Sequence, residues 1–442
     1  MKKYIVLFFG VFLPFSLLAQ NDFLIEKNHK KVIIPFKLIN NLIFIPIKVN
    51  GIELNFLLDS GVEETILFSM EDKQEVSFNN IEKIKLRGLG SEEEIEGLKS
   101  TNNVLETHGI KSSNHLVYII LDQSFNLSSH IGIPVNGIIG HKFFRNNLVE
   151  INYHKKKVII HLNNEETRKK LAKKFKSVPI TIEKSKPYIY TTAVANGNEI
   201  PAKLLIDIGN SDAFWIFEND RIKLPSKNFP DFLGKGFSGD IEGHRAKIEK
   251  FSIGDFEFKN PIVSFPDSTS IRNVKMVPDR IGSVGGEILK RFTLVLDYAD
   301  RKLYLKKNSK FSEPFTYNKS GITIQHNGLQ WVQETVHLET VQVAASLGEL
   351  ENKEKNSSNN FRYKFSLKPV YEIVNIRKSS PAEKCGLQKG DIIISINGVL
   401  PYKFSLQQIN NLLKSEDDVW INLEVERNSL ILKFRFKLED EL

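Results

Sequence analysis

The sequence predicts a mostly β chain of two similar lobes followed by a smaller α+β module, and three observations predict it. Apolar, β-branched and aromatic runs alternate with Asn-Gly, Asn-Asn and Gly punctuation, and few stretches keep a helical period. That is the pattern of short strands joined by tight turns. Several segments occur twice in the same order, which is the signature of an internal repeat. Near the end, Pro381, Gly386, Gly390-Asp391 and Asn397-Gly398 punctuate a stretch that reads as a short helix, a turn, a strand and a hairpin.

From the N-terminus, Met1-Lys2-Lys3 precedes the apolar run "YIVLFFGVFLPFSLLA" and then the polar Asn21-Asp22. Residues 1–19 are read as a signal peptide, because the run is shorter than the ~20 residues of a spanning helix and contains Pro14. With no lipobox Cys in "LLAQ", an exported periplasmic or cell-envelope protein is expected, with no stable membrane span after cleavage. The single cysteine, Cys385, permits no intramolecular disulfide, so packing must hold the fold. With 41% hydrophobic residues the chain can build substantial cores. The net charge of +8 is dispersed in short runs such as Lys155-Lys156-Lys157, which read as solvated loops rather than a nucleic-acid surface.

The repeat then defines the lobes. "NLIFIPIKVNGIELNFLLDSGVEETILF" and "KPYIYTTAVANGNEIPAKLLIDIGNSDAFWIF" share a strand, an Asn-Gly turn, a second strand, Asp-x-Gly and an apolar strand. Asp59 thereby falls on Asp207. Downstream, "RGLGSEEEIEG" is echoed by "KGFSGDIEG", and "IIGHKFFRNNLVEINYHKKKVIIHL" by "SVGGEILKRFTLVLDYADRKLYLKK" without a gap. From Asp59 to Gly140 is 81 residues, and from Asp207 to Gly285 is 78. Residues 22–165 and 175–315 are therefore expected to be two similar β lobes.

Asp-Ser-Gly on a strand, a Gly-rich tip downstream and then two apolar residues before Gly and a strand resemble the pepsin and retropepsin aspartic peptidases. Nearly all the chain after the leader is similar to exported bacterial retropepsin-like members ending in a PDZ domain. The resemblance implies a pseudo-two-fold pair of lobes and an aspartic endopeptidase acting on polypeptides, with Asp59 and Asp207 as its catalytic pair. Ser60, Gly61 and Gly209 would support the two loops, Gly allowing close backbone approach. The Gly-rich tips, with Gly88 and Gly90 in one lobe and Gly236 and Gly239 in the other, would be flaps over substrate. Two carboxylates held a few ångströms apart cannot both ionise; one can activate a water while the other donates a proton, with neither metal nor cofactor required.

The second copy departs from the family at Asp207-Ile208-Gly209, where Ile208 replaces the hydroxyl that ties one loop to the other. Asn210 and Ser211 are the residues placed to supply a substitute contact. The alternative reading is thus a non-catalytic, peptide-binding descendant on a degenerate aspartic-protease fold. Other chemistries find little footing. "GKGFSG" satisfies GxGxxG but lacks the strand-to-helix setting of a dinucleotide site, the ten His residues show no metal-ligand spacing, and no GxSxG elbow occurs.

Residues 316–360 are expected to be strands packed on the second lobe and then an Asn/Ser-rich linker, with 361–442 as the PDZ domain. "SPAEKCGLQKGDIIISINGV" carries that resemblance most specifically, with "SLQQINNLL" as the helix beside a peptide groove. PDZ domains take a peptide ligand by adding a strand to a sheet edge. Tyr363, Lys364, Phe365 and Ser366 are the expected peptide-binding loop. They lack the usual Gly-rich form, which points to internal segments or to docking onto the lobes. Cys385 is expected to pack as a small apolar residue.

Overall fold

A computed structural model describes residues 22–442 apart from 28, 69–74, 87–94, 122–126, 221, 237–238, 273–275 and 338–360. The expected signal peptide and linker therefore lie outside the described residues, as do Gly88 and Gly90. The chain is mostly β, with few and short helices. No helix among the described residues is long and apolar enough to cross a membrane.

In the first half, strands Leu42–Val49 and Ile52–Leu58 form a hairpin over Asn50-Gly51, both with positive φ (48° and 93°). This is the backbone that Asn-Gly tolerates. Strand Ile52–Leu58 then lies parallel to Gly137–Ile139, which runs antiparallel to Thr65–Leu67, itself parallel to Ile110–Ile120. In the second half, Lys186–Ala195 and Asn198–Ile206 form a hairpin over Asn196-Gly197. Strand Asn198–Ile206 lies parallel to Arg280–Val284, which runs antiparallel to Phe214–Ile216, itself parallel to Ile262–Pro266. A parallel neighbour on the strand that ends in an aspartate matters for the site. It supplies a carbonyl at the strand end that fixes the next residue's amide.

Between these halves six strands pair side by side, in the order Lys31–Pro35, Lys157–His161, Leu148–Asn152, Phe292–Asp297, Lys302–Lys307 and Lys176–Glu183. Glu150 faces Val295 at the centre of this sheet, with Leu148 opposite Asp297 and Asn152 opposite Thr293. The continuous core draws Phe56, Phe143 and Phe144 from one half and Phe214, Phe251 and Phe292 from the other, all buried. Each such side chain, fully buried, is worth about 1.5–3 kcal/mol. A disulfide-free chain of this size can rest on that.

The C-terminal sheet has five strands in the order Ile322–His337, Phe361–Ile376, Ile392–Ile396, Trp420–Arg427 and Leu430–Lys437. Strand Ile322–His337 therefore does not pack on the second half as expected. Its buried Ile322 and Ile324 join Ile373, Ile393, Leu406 and Ile409 in a separate core, so this module begins well before residue 361. Helix Pro381–Lys384 starts with its proline in the first turn, and Ser380 Oγ accepts from the Glu383 amide. Helix Leu406–Leu412 opens on a capping box between Ser405 and Gln408. Cys385 is half-buried and its Sγ lies 3.2 Å from the Ala382 carbonyl oxygen, in keeping with a packing role.

Candidate active site

Asp59 and Asp207 each stand one residue beyond a buried strand. The Asp59 amide donates to the Ile139 carbonyl and the Asp207 amide to that of Val284, both at 2.9 Å. Those acceptors lie on the parallel neighbours, so both side chains project from anchored backbone. A methyl group added at Gly61 would sit 3.0 Å from Asp207 Oδ1 and 3.1 Å from Asp59 Oδ1, and one at Gly209 only 2.2 Å from Asp59 Cγ. The carboxyl groups thus converge in a notch between two glycines and hydrogen-bond to each other. Ser60, Gly61 and Gly209 all stand around this notch.

Electrostatics follow from that geometry. Burial, together with the Asp207 charge, pushes the Asp59 carboxyl up to about 8, although the Gly61 amide donates to its Oδ1 at 2.7 Å and favours the anion. Burial also raises Asp207, opposed by the positive charges of Arg280 and Lys186. The two carboxyls titrate as a coupled pair, both raised by burial, so that one proton is held between them.

Ser60 crosses from one loop to the other. Its Oγ donates to the Ile206 carbonyl at 2.6 Å and accepts from the Ile208 amide at 3.0 Å, both buried contacts. Ile208 cannot return this tie and is fully buried in the core instead. Asn210 and Ser211 do not replace it with side-chain bonds across the interface. Asn210 Oδ1 accepts locally from the Asp212 amide at 2.9 Å, and Ser211 contributes its carbonyl, which accepts from Asn41 Nδ2 at 2.8 Å. Asn41 also donates to Glu287 Oε2 at 2.9 Å, while on the other side Ser185 Oγ donates to Glu63 Oε1 at 2.9 Å. Ser60→Ala is accordingly expected to lower unfolding stability by about 1–3 kcal/mol, read by urea denaturation, since it leaves a buried carbonyl and a buried amide without their partner.

The notch opens into a cavity of about 390 Å³. One wall is the hairpin of Asn228–Gly236 and Gly239–Lys247, in which Gly236 pairs with Gly239; Phe232 to Gly236 and Ile241 line the space. Gly234, at φ +152°, stands where the hairpin register shifts between Phe232 and Gly234, a backbone that suits glycine. Another part of the lining comes from the C-terminal module, through Ile322, Thr323, Ile324 and Asn410. The module is fixed there by the Asn40 amide donating to Gln407 Oε1 at 2.5 Å, by the Arg377 guanidinium 4.2 Å from the Phe229 ring and by Lys247 Nζ donating to the Leu442 carbonyl at 2.8 Å.

The expected peptide-binding loop is placed elsewhere. Tyr363, Lys364, Phe365 and Ser366 lie within strand Phe361–Ile376 and pair with Thr335, Glu334, Gln333 and Val332, and both Tyr363 and Phe365 are 60% exposed. The strand beside helix Leu406–Leu412 is the start of Ile322–His337, an edge strand, entered through Lys319-Ser320-Gly321 with the Lys319 amide bonded to the Leu413 carbonyl at 3.0 Å. Gly321 has φ +84° and precedes an apolar alternation, which is the signal that could have found it. Among the described residues no group of three or more His, Cys, Asp or Glu side chains is placed to hold a metal ion.

Residues 372–427 match the family model of the PDZ domain. The C-terminal module is therefore a PDZ domain, a fold that binds peptide ligands.

Proposed function

We propose that this chain is an exported aspartic endopeptidase whose Asp59–Asp207 pair activates water for hydrolysis of peptide bonds in exported or envelope polypeptides, with the PDZ domain presenting substrate at the cleft. The observation that carries the reading is the convergence of two carboxyl groups, remote in sequence, on one hydrogen bond between Gly61 and Gly209. Supporting it, the strand pairings of the two halves follow one plan. Setting Gly140 on Gly285 aligns each residue with the one 145 positions on, and Glu150 then pairs with its own counterpart Val295, as strands related by a two-fold axis must.

In this mechanism the charged Asp207 takes a proton from a water as it attacks the peptide carbonyl. Protonated Asp59 donates to the carbonyl oxygen, and the protons return as the amine leaves. Burial keeps the single shared proton on the pair into the neutral range. The PDZ edge strand that lines the same cavity offers its open edge to an extended chain entering there.

The test is hydrolysis of an unfolded protein, with product mapping and a pepstatin-type inhibitor. Cleavage blocked by the inhibitor and lost as pH rises through about 8 is expected. Peptide binding without cleavage at any pH would return the non-catalytic reading.

The same proton gives a stability prediction. Between pH 6.5 and 8 native Asp59 binds a proton that the unfolded chain has released, so stability falls as pH rises, by up to about 1.4 kcal/mol per unit. Below 6.5 buried His115, lowered to about 3, adds the opposite slope, because the unfolded chain then binds the extra proton. Denaturant titrations at pH 6.5 and 8 are expected to show the fall in the parent chain and its loss in Asp59→Asn.

A further inference from the structure

Of the three cations lining the cavity that holds the aspartate pair, Lys235 stands on the hairpin wall, while Lys186 and Arg280 act on Asp207 itself. Neither Lys186 nor Arg280 makes an ion pair with a carboxylate among the described residues. Lys186 opens the strand Lys186–Ala195, directly across a two-residue turn from Glu183. That carboxylate is already engaged, by Lys203 Nζ at 2.8 Å and by Thr181 Oγ1 at 2.8 Å. Arg280 is held by its Nε donating to the Gly282 carbonyl at 3.0 Å and by the Phe217 ring 5.3 Å from the guanidinium carbon. Both cations are half-buried, and with one proton shared the aspartate pair offers a single negative charge. Withdrawing two cations from water beside one anion is unfavourable unless a further anion completes the site.

We propose that Lys186 and Arg280 form a carboxylate-binding subsite beside the dyad, so that the cleft selects polypeptides presenting a carboxylate next to the scissile bond. That carboxylate is an Asp or Glu side chain or the terminal carboxyl of the chain. The subsite names the substrate class of the proposed peptidase and rests on that reading. A planar guanidinium, here also hydrogen-bonded to Tyr188, and a point-charged ammonium are well matched to one carboxylate.

The test uses the full-length protein and the best-cleaved peptide from an unfolded-protein digest. The peptide is remade with Glu or Gln at each position flanking the cut, and as free acid or amide at its C-terminus. A Glu peptide is expected to show roughly tenfold higher kcat/KM than its Gln twin, a difference typical of one well-placed charged contact. If the terminal carboxyl is the ligand, the free-acid and amide forms differ by that factor instead. In Lys186→Met/Arg280→Met the preference should shrink to within about twofold.

Equal cleavage of both pairs by the parent enzyme overturns the proposal, and so does a preference that survives the double substitution. If the substitutions shift only the pH profile, the cations act on the dyad and not on substrate, which also overturns it. Calorimetric binding of the same peptides to the Asp207→Asn chain separates the two readings. Carboxylate-selective binding with no turnover in the parent removes the peptidase and keeps the subsite, whereas turnover without selectivity removes the subsite alone.

Discussion

Asp59→Asn and Asp207→Asn are each expected to lower kcat/KM on an unfolded polypeptide by at least about 10²–10⁴-fold, the range associated with loss of a positioned acid or base. In the proposed mechanism the two carboxyl groups share one proton, and an amide in place of either breaks the exchange in a different way. At Asp207 the substitution removes the base of the proposed mechanism, so none remains to take the proton of water. At Asp59 it leaves an uncharged donor of similar shape, but one that cannot pass on a proton to the oxygen. Because the pair works as a unit, the double substitution should cost little more than the worse single one. Circular dichroism and the urea midpoint serve as controls for folding. Asp59→Asn should retain its structure and gain stability at pH 8, since it no longer ionises in a buried notch. Cleavage that survives in both single variants would remove the dyad.

What the sequence disclosed of this site depended on duplication. Asp59 alone could be a turn residue between strands, and only its counterpart Asp207, at matched spacing from a downstream glycine, made a shared site the better reading. Ile208 was visible as a departure, but its consequence was not. Whether a hydroxyl from the other loop serves both backbone groups is a matter of angles, and Ser60 does serve both. Asn41 escaped notice because it sits at a turn with φ +66°, where asparagine is explained by backbone alone; its side chain nonetheless bridges to Ser211 and Glu287. The edge strand of the PDZ domain was misassigned for a different reason. Ile322–His337 follows the second half directly in sequence and finds its partner strand only across residues 338–360, so nothing local distinguishes it from one more strand of the preceding fold.

The glycines of the notch permit a sharper test than the aspartates, because they border the two carboxyl groups without supplying either. Neither Gly209 nor Gly61 has the positive φ that alanine disfavours, so the contacts of the added methyl are what distinguish the two sites. At Gly209 that methyl would lie 2.2 Å from Asp59 Cγ and the same distance from Oδ2, far inside contact distance, and the neighbour it meets is the carboxyl group itself. The group has to swing away or the loop has to move. Either displacement approaches 1 Å, enough to cost on the order of 10²-fold in rate even with every catalytic residue present. At Gly61 the nearest atoms stand at 3.0–3.1 Å, a crowding that a few tenths of an ångström relieves. Gly209→Ala is therefore expected to lose about 10²-fold or more in kcat/KM and Gly61→Ala much less. Gly209→Ala should also lose the shared proton, visible as a flattened stability profile between pH 6.5 and 8. Equal activity in the two variants would mean that the notch does not hold the carboxyl groups in a fixed relation, and the case for a proton shared across it would fail with that.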